Sequence, residues 1–275
     1  DPVFRGMFGS RLRILTDNGE MPGACPARMD APSSYISPES FDVLTLIKGP
    51  ETVLWGPGNS AGTLRFDREQ PRFVKPGIQG TASVLAASNN RWDENADISL
   101  GSEDGYLRLI GNKSRAGDYK DGNGDRVPSK WDKWNGDMAL GWTPDKDTLL
   151  EMTAGKGDGE ARYAGRSMDG SRFRRESLGM RFEKSGIGEV FDKLEANIYY
   201  NYANHVMDNY SLRAPGMNMS GSMGSAMGSA MEHGSAMHSM SMPMAMQLDR
   251  RTVGGRMMGT WLWSDYELRS GVDTQ

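Results

Sequence analysis

From Trp92 onward apolar and polar side chains alternate, a period of two that belongs to extended strands and not to helices. Trp92, Ala96, Ile98 and Leu100 share one face of a run whose other face carries Asp93, Asn95, Asp97 and Ser99. Met138, Leu140 and Trp142 oppose Asp137, Ala139 and Gly141, and Leu178, Met180 and Phe182 oppose Ser177, Gly179, Arg181 and Glu183. Residues 194–207 repeat the scheme over an unusually long stretch. About nine such strands can be counted between Gly77 and Gln275 by this alternation.

The joints between these strands decide the kind of sheet. After two short hairpins, at 88–90 and 102–104, they alternate: about 114–133 is long and polar, 144–147 short, about 157–171 long, 185–189 short, and about 208–246 very long. Short turns at one end and long loops at the other characterise an up-and-down transmembrane barrel, whereas a soluble sandwich has no reason to segregate them. Composition agrees. Mean hydropathy is -0.60 and no apolar run reaches the length of a spanning helix, which leaves barrel strands open because they expose apolar groups only at every second position. Trp92, Tyr106, Trp131, Trp134, Trp142, Trp261 and Trp263 stand near strand ends, where interfacial girdles form; the plainer reading is ordinary strand aromatics. The single Cys25 excludes a disulfide scaffold, and a net charge of -4 argues against nucleic acid as a partner.

Several motifs fail on context. Gly58-Asn59-Ser60-Ala61-Gly62 matches a nucleophile elbow, but that elbow needs a helix after it, and Thr63 to Asp67 alternates like a strand. No Gly-Lys-Ser/Thr follows for a phosphate loop, and the same glycines are off by one for a dinucleotide fingerprint. Asp121-Gly122-Asn123-Gly124-Asp125 lacks the bidentate Glu of a calcium loop and reads as a flexible loop. No dyad of carboxylates stands out, so the chain reads as no enzyme.

The first seventy residues differ in texture, with short apolar runs separated by Gly and Pro clusters, and the break lies near 68–77. Arg5-Gly6, Arg11-Leu12-Arg13-Ile14-Leu15 and Asp17-Asn18-Gly19, then Leu46-Ile47-Lys48-Gly49-Pro50-Glu51-Thr52-Val53-Leu54-Trp55-Gly56 and Ala61-Gly62-Thr63-Leu64, resemble the plug of TonB-dependent outer-membrane receptors. Lys48 departs from the Arg usual there. The resemblance implies a mainly β chain: an N-terminal α+β plug domain over 1–73, then antiparallel transmembrane β-barrel strands over 74–275, with a Met-rich extracellular loop at about 208–246. Nine strands fall short of the about 22 that a plugged lumen needs, so further strands are expected beyond Gln275. It also implies a bacterial outer-membrane monomer in contact with lipid and with the TonB-ExbB-ExbD complex, although the segment that touches TonB is not visible in this sequence.

Ten of the 20 Met residues fall between Met217 and Met246, among Gly, Ser, Ala, His233 and His238. Such a tract cannot bury enough apolar surface to form a core, and repeated thioethers with occasional imidazole suit Cu(I) better than hard cations; drift in a tolerant loop is the alternative. In 194–207, Leu194, Ala196, Ile198, Tyr200 and Tyr202 form a lipid-facing set, so Glu195, Asn197, Tyr199, Asn201, His205 and Met207 face the lumen. Cys25 and Met29 lie four apart between Pro22 and Pro32, a segment expected to be an exposed apical loop. Cys25, Met29, His205 and Met207 together make a soft four-ligand set for copper, with Cu(I) favoured and Cu(II) allowed. Cys-x-x-x-Met in the plug and His-x-Met on a strand resemble the copper-transporting outer-membrane receptors of the OprC and NosA type, which implies these four as principal ligands. His238-Ser239-Met240 is a second His-x-Met, on a loop that fixes no geometry. A siderophore or haem receptor of the same fold and a soluble periplasmic copper-binding protein are the rival readings.

Overall fold

The computed structural model describes residues 2–17, 19–26, 30–48, 54, 60–213 and 242–275. Four strands come first, β1 (Leu12–Thr16), β2 (Gly19–Glu20), β3 (Val43–Ile47) and β4 (Gly62–Asp67). They lie in the order β2-β1-β4-β3, with β1 and β4 parallel in the register Leu12↔Gly62 to Thr16↔Phe66. A parallel pair demands a crossover. Here it runs through 17–61, and its first part carries Cys25.

Among the described residues there is no α-helix. The described residues of the expected α+β unit form a small mixed sheet with three 3-10 turns, Gly9–Arg11, Pro32–Tyr35 and Pro38–Ser40. Pro22, Pro26, Pro32 and Pro38 divide this stretch into pieces too short for a long helix, and Pro32 and Pro38 open two of the 3-10 turns, where the missing N–H is not needed.

The larger sheet has nine antiparallel strands: β5 (Gly77–Ala87), β6 (Arg91–Ser102), β7 (Gly105–Ala116), β10 (Trp131–Trp142), β11 (Thr148–Ala161), β12 (Asp169–Lys184), β13 (Phe191–Asp208), β14 (Ala245–Leu262) and β15 (Glu267–Thr274). Each pairs with its neighbour in chain order, apart from the small hairpin β8 (Tyr119–Lys120) and β9 (Arg126–Val127) that stands between β7 and β10. In that hairpin Asp121 accepts the N–H groups of Asn123 and Asp125, so the expected flexible loop is an ordered turn.

This wall is inside out. On β13 Ile198 is 58% exposed and Asn201 2%; on β10 Leu140 is 54% exposed and Asp137 8%. Apolar side chains therefore face outward and polar ones inward, which costs free energy in water and gains it in a bilayer. Trp134, Trp142 and Trp263 join the outer face. Tyr106 does not: it points inward and donates to Glu151, which corrects its place in the expected girdle.

The small sheet packs on the inner face. Leu12, Ile14, Met21, Tyr35, Leu64 and Phe66 form one apolar cluster with Phe173 of β12 and Ala203 of β13. Around it, Arg108 of the wall binds Asp42 and Asp97, Arg68 bridges Asp17 and Asp137, and Asn201 donates to the Glu20 carbonyl. Burial is the largest influence on Asp17 and pushes its carboxyl up to about 6 from 3.8, against the opposing pull of Arg68. The folded protein thus holds a proton here that the unfolded chain releases. The contribution is full below 3.8 and lost as pH rises through about 6. Thermal melting should fall between pH 4 and pH 6 in wild type, and Asp17→Asn should flatten that slope; an unchanged slope in the variant refutes the assignment.

Candidate metal centre

Strand β13 runs for 18 residues, well beyond the ~10 that cross a bilayer. His205 and Met207 lie at its far end, on the long-loop side, and alternation turns both inward, where both are buried. The cross-strand partner of His205 is Phe173, and the two rings stack at 4.8 Å between centroids and 28° between planes. Phe173 also receives the ring of Tyr35 edge-on at 5.9 Å. The imidazole is therefore held in one plane from the wall side and backed by the small sheet. Phe173 also lines a cavity of about 380 Å³, together with Ser33, Ser37, Glu39 and Asn112 among others.

Cys25 reaches the same place from the crossover. It is buried, 7% exposed, which corrects the expected exposure at Cys25 itself, while Pro26 beside it is exposed. What covers and shapes it is Asp30, whose carboxylate accepts the N–H of Ala24 at 2.7 Å and of Cys25 at 2.9 Å, together with the Tyr35 hydroxyl. Burial, and then the charge of Asp30, push the Tyr35 phenol far above its usual range, so it stays a donor.

One ligand atom each of Cys25, Asp30 and His205 lies within 4.8 Å of the other two. Residues 25 and 205, far apart in sequence, are thus neighbours in space. The Nε2 atom of His205 is buried and has no hydrogen-bond partner among the described residues. Such an orphan costs about 1–3 kcal/mol, and native proteins keep few of them without a ligand or function to explain them. Thiol and imidazole are soft to borderline donors, suited to copper or zinc and poor for magnesium or calcium.

Of the four residues expected from sequence, Cys25 and His205 come together and Met207 is buried on the same inward face two residues along. Met29 lies outside the described residues, as do 214–241 of the Met-rich segment, with His233 and His238. Sequence reasoning missed Asp30 and Phe173. The signal for Phe173 was available, because aligning the alternations of β12 and β13 sets it opposite His205.

Both feet of the Met-rich segment are fastened. Asp169, fully buried, holds Arg213 through two hydrogen bonds of 2.6 Å, and Arg213 also donates to the Tyr163 carbonyl. Asn209 exchanges hydrogen bonds with Met242 and Met244. Met207 pairs across the ladder with Met246.

Neither a family model nor a curated protein matches the chain. Among solved structures it is similar to the copper transporter OprC, at 58% identity and a TM-score of 0.88, over 99% of this chain and 39% of that one. It is similar in fold to the FrpB iron transporter of Neisseria meningitidis, with 13% identity, a TM-score of 0.64, and coverage of 96% and 39%. The ferric enterobactin receptor PfeA of Pseudomonas aeruginosa gives 14% identity, a TM-score of 0.63, and coverage of 96% and 41%. The chain thus spans about two fifths of the length of each. All three are transporters or receptors and none is an enzyme.

Proposed function

Because this chain belongs to the TonB-dependent receptors of the bacterial outer membrane, in the group of the copper transporter OprC, we propose that it binds copper at the junction of its two sheets and passes it inward unchanged. In this reading residues 1–73 are the plug and 74–275 the first part of a barrel of about 22 strands. Cys25, Met29, His205 and Met207 are the ligands, with Cu(I) preferred over Cu(II), and the TonB-ExbB-ExbD complex supplies the energy. The Met-rich segment offers thioethers for capture outside.

The observation that carries this reading is the approach of the Cys25 thiol, on the crossover of the small sheet, to the imidazole of His205 on the wall, whose buried Nε2 has no hydrogen-bond partner among the described residues. A thiolate, an imidazole and thioethers favour Cu(I) and discriminate against hard cations. An organic chelate of iron needs open polar surface to lie on, and Cys25 and His205 present almost none. Metal analysis of the detergent-purified protein tests the reading. It should hold a single tight copper equivalent that magnesium and calcium in excess do not displace. A protein that takes up an iron chelate and no copper would sink it.

A further inference from the structure

Asp30 lies inside the cluster formed with Cys25 and His205, yet its oxygens are already engaged. A carboxylate offers about four lone-pair positions. Here Oδ2 accepts the Ala24 N–H and the Tyr35 hydroxyl, and Oδ1 accepts the Cys25 N–H. The two amides are the peptide groups on either side of Ala24, the second of them the link into Cys25, so the carboxylate fixes the stretch of backbone from which the thiol projects. Its third partner, Tyr35, is fully buried and meets Phe173 edge-on, and Phe173 stacks on His205. Contacts therefore run without a break from Cys25 through Asp30, Tyr35 and Phe173 to His205, across both sheets.

We propose that Asp30 is a positioning residue: it sets the place of the Cys25 sulfur relative to the His205 imidazole and leaves the metal to the soft donors. This rests on the copper reading above and refines it. An oxygen ligand would open the site to harder ions, whereas an oxygen spent on backbone amides keeps a negative charge beside the cation without a bond to it. Cys25 gains its fixed position from Asp30, and His205 gains its fixed plane from Phe173.

The experiment compares wild type, Asp30→Asn, Asp30→Ala, Tyr35→Phe and Cys25→Ala as detergent-purified full-length protein, using Cu(I) competition titration and copper K-edge absorption. Heat-dependent gel mobility checks that every barrel is folded. Asp30→Asn should weaken Cu(I) binding about 10- to 100-fold, the usual cost of losing an outer-shell partner. Asp30→Ala, with no acceptor left, should lose more, and Tyr35→Phe less. The copper that still binds should keep its sulfur and imidazole scattering with no light-atom shell lost. Wild-type affinity in Asp30→Asn, or an oxygen shell that vanishes with Asp30, overturns the positioning role while leaving the copper site standing. Wild-type affinity in Cys25→Ala, or no copper in wild type, overturns the copper reading and this inference with it.

Discussion

Cys25→Ala is expected to remove tight Cu(I) binding, and His205→Ala to weaken it by about 100-fold or more, since losing a direct ligand must exceed the 10- to 100-fold cost of losing an outer-shell partner. Neither change should unfold the protein. Cys25 is a small side chain whose replacement by Ala removes one sulfur, and point substitutions centre near about 1 kcal/mol, well short of a folded domain's stability. His205→Ala opens space against Phe173 but also removes the buried orphan at Nε2, two effects of opposite sign. The double variant should bind no worse than Cys25→Ala alone, because two ligands to one ion act as a unit and their losses do not add. Copper per protein and a Cu(I) competition titration read all three. Equal binding in wild type and both single variants would mean that the ion sits elsewhere.

Asp169→Ala should have the largest effect on local stability. Its carboxylate is fully buried and pairs with Arg213 in a two-bond geometry, so truncation strands a buried guanidinium. Removing one partner of such a pair costs about 3–5 kcal/mol, more than the pair itself contributes over an apolar replacement. The loss falls on the segment that joins β13 to the Met-rich run, where local opening lies well below global unfolding in cost. Trypsin should then cut after Arg213 in Asp169→Ala under conditions that leave wild type intact, with the fragment identified by mass. Resistance equal to wild type would show that the pair does not hold this foot.

The strands were legible because a wall with apolar side chains on one face and polar ones on the other writes period two into the sequence. Ile198 beside Tyr199 and Asn201, or Leu140 beside Ala139, differ in exposure as the alternation requires. Loop lengths then gave the order of the strands. Orientation of single aromatics was less legible: Tyr106 reads like a girdle residue by its place near a strand end, yet it shares the inward face with Arg108 and Asn112 and donates to Glu151, 45 positions away. Cys25 and His205 were legible as chemistry, since few residue types serve a soft ion. The covered state of Cys25 was not, because it depends on three hydrogen bonds converging on one carboxylate. Asp30 itself looked like any of 36 acidic residues, and nothing local marks which of them will meet two backbone amides and a phenol. The mixed sheet at the N-terminus was half legible: prolines forbid a long helix, but the β1–β4 pairing spans 50 positions and leaves no periodic trace.

The junction of the two sheets has a thermodynamic consequence. Cys25 belongs to the crossover of the small sheet and His205 to the wall, so a ligand that grips both binds the docked arrangement and not the separated one. Linkage then works in both directions: whatever factor docking contributes to affinity, the bound ligand returns to docking. A few kcal/mol of such coupling would make the loaded protein measurably harder to pull apart than the empty one. It would also mean that any force displacing the small sheet lowers affinity at the same moment, so that release needs no separate trigger.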